Sequence, residues 1–215
     1  AETRIDYYVN LGGIKIADAN FTIKSDKNNW SLLTEVEAAG IVDVFVKFIS
    51  TTESKGIIND NKLVPELYKF SYLTGRGSSR NGSITYKDNI PIRLAADPNY
   101  ADDEKPSLKF LEKYGSASND PYSALLVHGS YSDPCQFIAQ GFDGLRSFKT
   151  IFVRPAKEEK IKIGGQDVLT SKCVGYFDPI IGYKESDFLD EISKPGSVRY
   201  WFKYFETLNL WAPVK

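Results

Sequence analysis

Apolar residues at the start of the chain recur at every second position. Ile5, Tyr7, Val9 and Leu11 fall on one face and Arg4, Asp6, Tyr8 and Asn10 on the other, the period of a half-buried strand. Gly12-Gly13 tolerates the positive φ values of a tight hairpin, and the return strand carries Ala17, Ala19, Phe21 and Ile23 on one side. Asp26-Lys27-Asn28-Asn29 reads as a polar turn before a third strand with Trp30, Leu32, Thr34, Val36 and Ala38 in step. After Gly40 the spacing changes to threes and fours at Ile41, Val44, Phe45, Phe48 and Ile49. That spacing predicts an amphipathic helix over residues 41–50 with a stop at Ser54-Lys55-Gly56, and the β-branched content leaves a strand as the alternative.

Strand spacing returns after Pro65, where Tyr68, Phe70 and Tyr72 alternate with Lys69 and Ser71, and Asn81-Gly82 reads as a two-residue hairpin turn before Ile84 and Tyr86. Residues 95–119, with Asp97-Pro98, the acidic Asp102-Asp103-Glu104 and Gly115-Ser116-Ala117-Ser118-Asn119, have no period and read as a long excursion. Asp120 followed by Pro121 and an apolar continuation predicts the start of a short helix. Two strands are expected between Cys135 and Val153 around a turn at Phe142-Asp143-Gly144-Leu145. A hairpin at Gly164-Gly165 leads into a strand holding Cys173, and Val198, Tyr200, Phe202 and Tyr204 alternate with Arg199, Trp201 and Lys203. Strands joined by hairpins form antiparallel sheet, and so few helices cannot cover a long sheet from outside. The expected architecture is mainly β: one domain over residues 1–215, a long antiparallel sheet curved into an open barrel or spiral, with two or three short helices packed on it.

With 42% hydrophobic residues, among them 13 Phe, 13 Tyr and 3 Trp, the 215-residue chain can build a large core, which excludes intrinsic disorder. A net charge of −1 with no basic face argues against nucleic acid as a partner. Apolar runs such as Leu125-Leu126-Val127 fall far short of the roughly 20 residues of a membrane span. The chain holds no Met and begins Ala1-Glu2-Thr3, which suits the mature end left when a signal peptide is cut after a small residue, although a trimmed chain would begin in the same way.

Candidate chemistry is sparse. His128 is the sole histidine, no G-x-S-x-G elbow exists, and a nucleophile-base pairing with nearby Cys135 is outweighed by a helix-end histidine beside Gly129. Cys135 and Cys173 sit in alternating stretches that read as strands, which suits a cross-strand staple, and two separate buried thiols are the alternative. Two Cys and one His do not complete a zinc set, so no metal and no cofactor are expected. Gly75-Arg76-Gly77-Ser78-Ser79-Arg80 lacks the third glycine and the following helix of a phosphate loop. Asp97, Asp120, Asp143 and Asp178 each precede Pro or Gly, so Asp120-Pro121 and Asp143-Gly144 are read as structural turns rather than as a glycosidase acid pair. The one surplus is aromatic: Tyr200, Trp201, Phe202 and Tyr204, with Phe205, put rings on both faces of one strand and are the candidate groove or contact residues.

Several segments together resemble a Gram-negative envelope family known only as a domain of unknown function. They are Tyr7-Tyr8-Val9-Asn10-Leu11-Gly12-Gly13-Ile14, Ser54-Lys55-Gly56 followed by Leu63-Val64-Pro65-Glu66-Leu67-Tyr68, and Asp120-Pro121-Tyr122-Ser123-Ala124-Leu125. Cys135 with Phe142-Asp143-Gly144-Leu145-Arg146, and Cys173-Val174-Gly175-Tyr176 with Pro179-Ile180-Ile181-Gly182-Tyr183, complete the set, which runs nearly end to end. The resemblance implies export to the periplasm with the signal peptide removed, a Cys135–Cys173 disulfide, and a sheet similar to the open barrels of lipoprotein carriers. It carries over no catalytic residue, and it leaves a buried Asp143–Arg146 ion pair open. The expectation is a non-enzymatic, monomeric periplasmic protein that supports the envelope by binding a protein, a lipid or another envelope component. The rivals are a carrier of an apolar ligand and, well behind, a glycan hydrolase.

Overall fold

Seven consecutive strands build the first sheet, each antiparallel to the one before: β1 (Glu2–Leu11), β2 (Ile14–Ser25), β3 (Asn29–Ala38), β4 (Phe48–Asn59), β5 (Lys62–Thr74), β6 (Ser79–Lys87) and β7 (Ile90–Asp97). A computed structural model describes residues 1–11, 14–39, 48–75 and 77–215. The second sheet contains β8 (Val127–His128), β9 (Ala139–Phe142), β10 (Ser147–Phe152), β11 (Lys157–Ile163), β12 (Gln166–Ile181), β13 (Val198–Phe205) and β14 (Leu210–Pro213). Its spatial order is β8-β14-β13-β12-β10-β9, with β11 paired to β12. The chain is thus mainly β and antiparallel, with one sheet curled into a half-barrel, but the single long sheet expected from the sequence is two. The division falls at residues 98–126, which turn inward after β7 instead of adding a strand to it.

Two α-helices occur among the described residues, α1 (Leu108–Gly115) and α2 (Asp187–Ile192), neither of them where the sequence placed one. Most of the helix expected at 41–50 lies outside the described residues, and its last three positions open β4 instead. The Asp120 start yields a three-residue 3₁₀ turn, Ser123–Leu125, because Leu126 becomes extended and Val127 pairs with β14. Helix α1 arises inside the supposed excursion, with the Ser107 hydroxyl capping it by accepting from the Phe110 amide.

Turns also differ from expectation. Strand β5 ends at Thr74 and β6 begins at Ser79, so Asn81-Gly82 lies within β6 instead of at the turn. A Cβ at Gly82 would overlap the Phe70 ring, so this glycine serves packing rather than a turn. Gly56 likewise lies inside β4 at a bulge, where a Cβ would strike the Val64 carbonyl. Asp178-Pro179 sits in β12, with a register shift at the Ser147/Phe148 positions of the facing strand accommodating the missing proline amide. Two-residue turns with positive φ close the β4–β5 hairpin at Asp60-Asn61 (48°, 60°) and the β6–β7 hairpin at Asp88-Asn89 (52°, 62°).

The inward face of the first sheet packs onto the second half of the chain throughout its width. Ile23, Trp30, Leu32 and Leu63 meet Leu126, Leu210 and Ala212, while Tyr68, Ile84 and Tyr86 meet Leu111 of α1 and Phe142 of β9. This convergence from β2 to β6 identifies the first sheet as the half-barrel. A third cluster, Val127, Cys135, Cys173 and Phe202, gives the second sheet its own core. Tyr7 of β1 donates its hydroxyl hydrogen to the Pro213 carbonyl of β14, tying the first strand to the last.

Candidate ligand cleft

Cross-strand register puts one set of side chains on the concave face of the half-barrel. Phe48 pairs with Thr74, Ser50 with Tyr72, Thr52 with Phe70 and Ser54 with Tyr68, and Tyr72 in turn pairs with Arg80. Directly opposed residues of antiparallel strands share a face. The rows therefore form a floor of rings and hydroxyls closed on the far side by Tyr100, Pro121, Tyr122, Asp143, Leu145 and Arg146. The cleft so enclosed holds about 410 Å³.

Two aspartates build that far wall. The Asp143 carboxylate accepts from the Leu145 and Arg146 amides at 3.0 and 2.7 Å and from Arg146 Nε at 2.7 Å, while Gly144 takes φ +100°. The expected turn is therefore present. Its ion pair is only half-buried, since the Arg146 side chain is 56% exposed. Burial opposes the Arg146 charge, but the adjacent Asp143 outweighs it and holds the guanidinium above its ordinary pKa. Asp120 is 1% exposed and accepts from the Tyr122 and Ser123 amides, the Ser123 hydroxyl and, at 2.6 Å, the Ser54 hydroxyl of β4. It is both the expected turn and a tether between the half-barrel and the wall. Burial pushes the Tyr68 and Tyr86 phenols up, and the Asp120 charge pushes in the same direction, so both remain neutral.

Arg80 is the cation of the cleft without a counter-ion among the described residues. Its Cζ lies 4.3 Å from the centroid of the Tyr100 ring, and its buried Nε has no hydrogen-bond partner. Thr52 Oγ1 on the same floor is also buried and unpartnered. Tyr68, Phe70 and Tyr72 stood out in the sequence by alternation. Arg80 appeared only as the last residue of the rejected phosphate-loop segment, and Tyr100 carried no signal at all.

The other residues singled out in the sequence lie elsewhere. Cys135 and Cys173 form a disulfide with Cα atoms 5.4 Å apart. Cys173 lies in β12, but Cys135 lies in a 3₁₀ turn, Pro134–Gln136, rather than in a strand. The cause is Asp133, whose carboxylate accepts from the Cys135 and Ala156 amides and coils the segment ahead of the proline. Tyr200 and Phe202 pack on the disulfide side of β13, Phe202 completely buried, and Tyr204 leans on Trp211. Trp201, on the opposite face, donates Nε1–H to Glu159 at 3.2 Å between Lys172 and Lys215. None of these four lines the half-barrel cleft.

His128 is 9% exposed, with Nδ1 beside the Ser130 hydroxyl and Nε2 beside the Asn209 amide. Burial lowers its pKa from the ordinary 6.5. The unfolded chain then binds the proton first as pH falls, so stability declines below about pH 6.5. Urea midpoints between pH 7.5 and 5 are expected to drop, and to drop less in His128→Gln. Equal slopes in the two proteins would remove this role. Among the described residues no three His, Cys, Asp or Glu side chains gather as a metal site, and no helix is long and apolar enough to cross a membrane.

Fold and cleft together define a curved antiparallel half-barrel with a lined concavity. The chain belongs to the family described as Protein of unknown function (DUF3108), whose model matches residues 4–203. No curated protein and no solved structure matches it.

Proposed function

We propose that this is a non-enzymatic, monomeric binding protein of the periplasm, exported with its signal peptide removed, that supports the cell envelope by holding a lipid-like ligand in the half-barrel. The observation that carries the reading is the cleft, whose volume falls within the ~300–1,000 Å³ of small-molecule sites and whose floor combines Phe48, Phe70 and Tyr72 with hydroxyls. Of the occupants weighed from the sequence, a protein partner has less support than an acyl or other apolar chain, because the concavity is ring-lined and holds only about 410 Å³. The disulfide supports an oxidising compartment. A glycan hydrolase of the usual kind would need two acids facing one cleft. Among the described lining residues Asp143 is the one carboxylate, and it is already engaged by Arg146 and two amides.

The test uses N-phenyl-1-naphthylamine, a neutral apolar fluorophore, titrated into the purified protein. Saturable binding at one site is expected, weakened about tenfold in Tyr72→Ala, where one floor ring is lost at a half-buried position. No saturable binding, or binding indifferent to Tyr72, would remove the cleft as a ligand site.

A further inference from the structure

We infer that the ligand of this cleft is an amphipathic anion, a chain bearing a carboxylate or phosphate head, and that Arg80 is the residue that selects the head. The inference rests on the cleft being a ligand site, as proposed above, and adds the charge of the occupant. Among the described residues three ionic side chains line the cleft: Arg80, Arg146 and Asp143. Arg146 and Asp143 largely satisfy each other, which leaves Arg80 as one surplus positive charge.

Arg80 is held for such a task. Its strand position opposite Tyr72 fixes the stem, the face of Tyr100 fixes the guanidinium plane, and the buried Nε–H is left as a donor with nothing to accept from it. A desolvated donor with no partner is costly, and a charged one more so, unless an acceptor arrives. The guanidinium fork matches the two oxygens of a carboxylate or phosphate in a way that an ammonium does not. Thr52 Oγ1, buried and unpartnered beside the Phe70 ring, supplies a second polar anchor on the same floor. The remaining lining, Phe48, Phe70, Tyr72 and Leu145, suits a chain rather than a second charge.

Isothermal titration with dodecanoate, dodecyl phosphate, dodecanol and inorganic phosphate tests this on the intact chain. At least one of the two anions is expected to bind tenfold or more tightly than dodecanol, and the preferred one identifies the head. Arg80→Gln should abolish the preference, bringing the ratio of anion to dodecanol affinity to about one, whatever the variant does to dodecanol itself. Arg80→Lys should recover only part of the loss, and thermal melts of both variants report that the fold is retained. Equal affinity for anions and alcohol in the wild type would overturn the anion preference and leave the lipid-like reading standing. Inorganic phosphate binding as tightly as dodecyl phosphate would overturn the amphipathic character. Failure of every chain to bind would overturn the cleft reading itself.

Discussion

Replacing Cys135 and Cys173 together by alanine is expected to lower the free energy of unfolding by about 4 kcal/mol and the thermal midpoint by roughly 10 °C. The two cysteines are 38 residues apart, and holding a loop of that length closed removes chain entropy from the unfolded state on that scale. The bond also spans two different kinds of backbone, clamping the 3₁₀ turn after Asp133 to the middle of β12. Both half-cystines lie in the core that contains Phe202, so the alanine pair leaves unfilled space as well as a slack segment. Urea unfolding with and without reductant checks the origin of the loss. Reduced wild type should approach the variant, whereas a wild-type midpoint indifferent to reductant would mean that the bridge contributes nothing.

The second large effect is expected at Asp120. Removing its carboxylate by Asp120→Ala leaves two hydroxyls and two amides buried without their acceptor, at a cost of about 3 kcal/mol or more. Asp120→Asn retains an oxygen for the Tyr122 and Ser123 amides and should cost about 1 kcal/mol, since the Ser54 and Ser123 hydroxyls can rotate to accept instead. The tether argument makes a sharper claim. Ser54→Ala and Asp120→Ala combined should cost clearly less than their separate effects together, because each alone breaks the same 2.6 Å contact. Strict additivity in that double-mutant cycle would show that the half-barrel and the wall are not joined through this pair. Fluorophore binding should weaken in Asp120→Ala as well, since Pro121 and Tyr122 lose the anchor that sets the wall.

Much of this was legible from spacing. The inward sets Ala19, Phe21, Ile23 and Trp30, Leu32, Thr34 fall where alternation puts them, as do the Asp143-Gly144 turn and the strand that carries Tyr200 and Phe202. The cysteine pair was legible through its even count and the family resemblance. The strand β4 was not. Its buried positions are Ser50, Thr52, Ser54 and Gly56, polar or side-chain-free residues that give no apolar period, so threes and fours from the preceding segment dominated the reading. Ser50 and Thr52 floor the cleft, Ser54 holds Asp120 and Gly56 lies against the Val64 carbonyl, so the pattern failed beside the candidate site. Asn81-Gly82 misled for a different reason: the dipeptide carries a strong turn signal, but the Phe70 ring, eleven residues upstream of Asn81, uses the missing Cβ. Helix α1 spans eight residues, too few turns for its period to rise above a segment rich in Pro and Asp.

The order of strands also fixes an order of assembly. Every partner in the first sheet is a neighbour in sequence, so these hairpins can zip together as soon as residues 1–97 have appeared, with little loop entropy to overcome. The second sheet is different, because β8 among the described residues pairs with β14, the last strand in the chain. During synthesis the segment carrying Pro121 and Tyr122 therefore waits for Leu210–Pro213 before its far end is anchored. A half-made molecule has a finished, ring-lined concavity with no opposite wall, which is the surface most prone to adhere to other chains. The wall opposite the half-barrel is thus the last part to be secured, and a delay before β14 forms leaves the stickiest intermediate exposed.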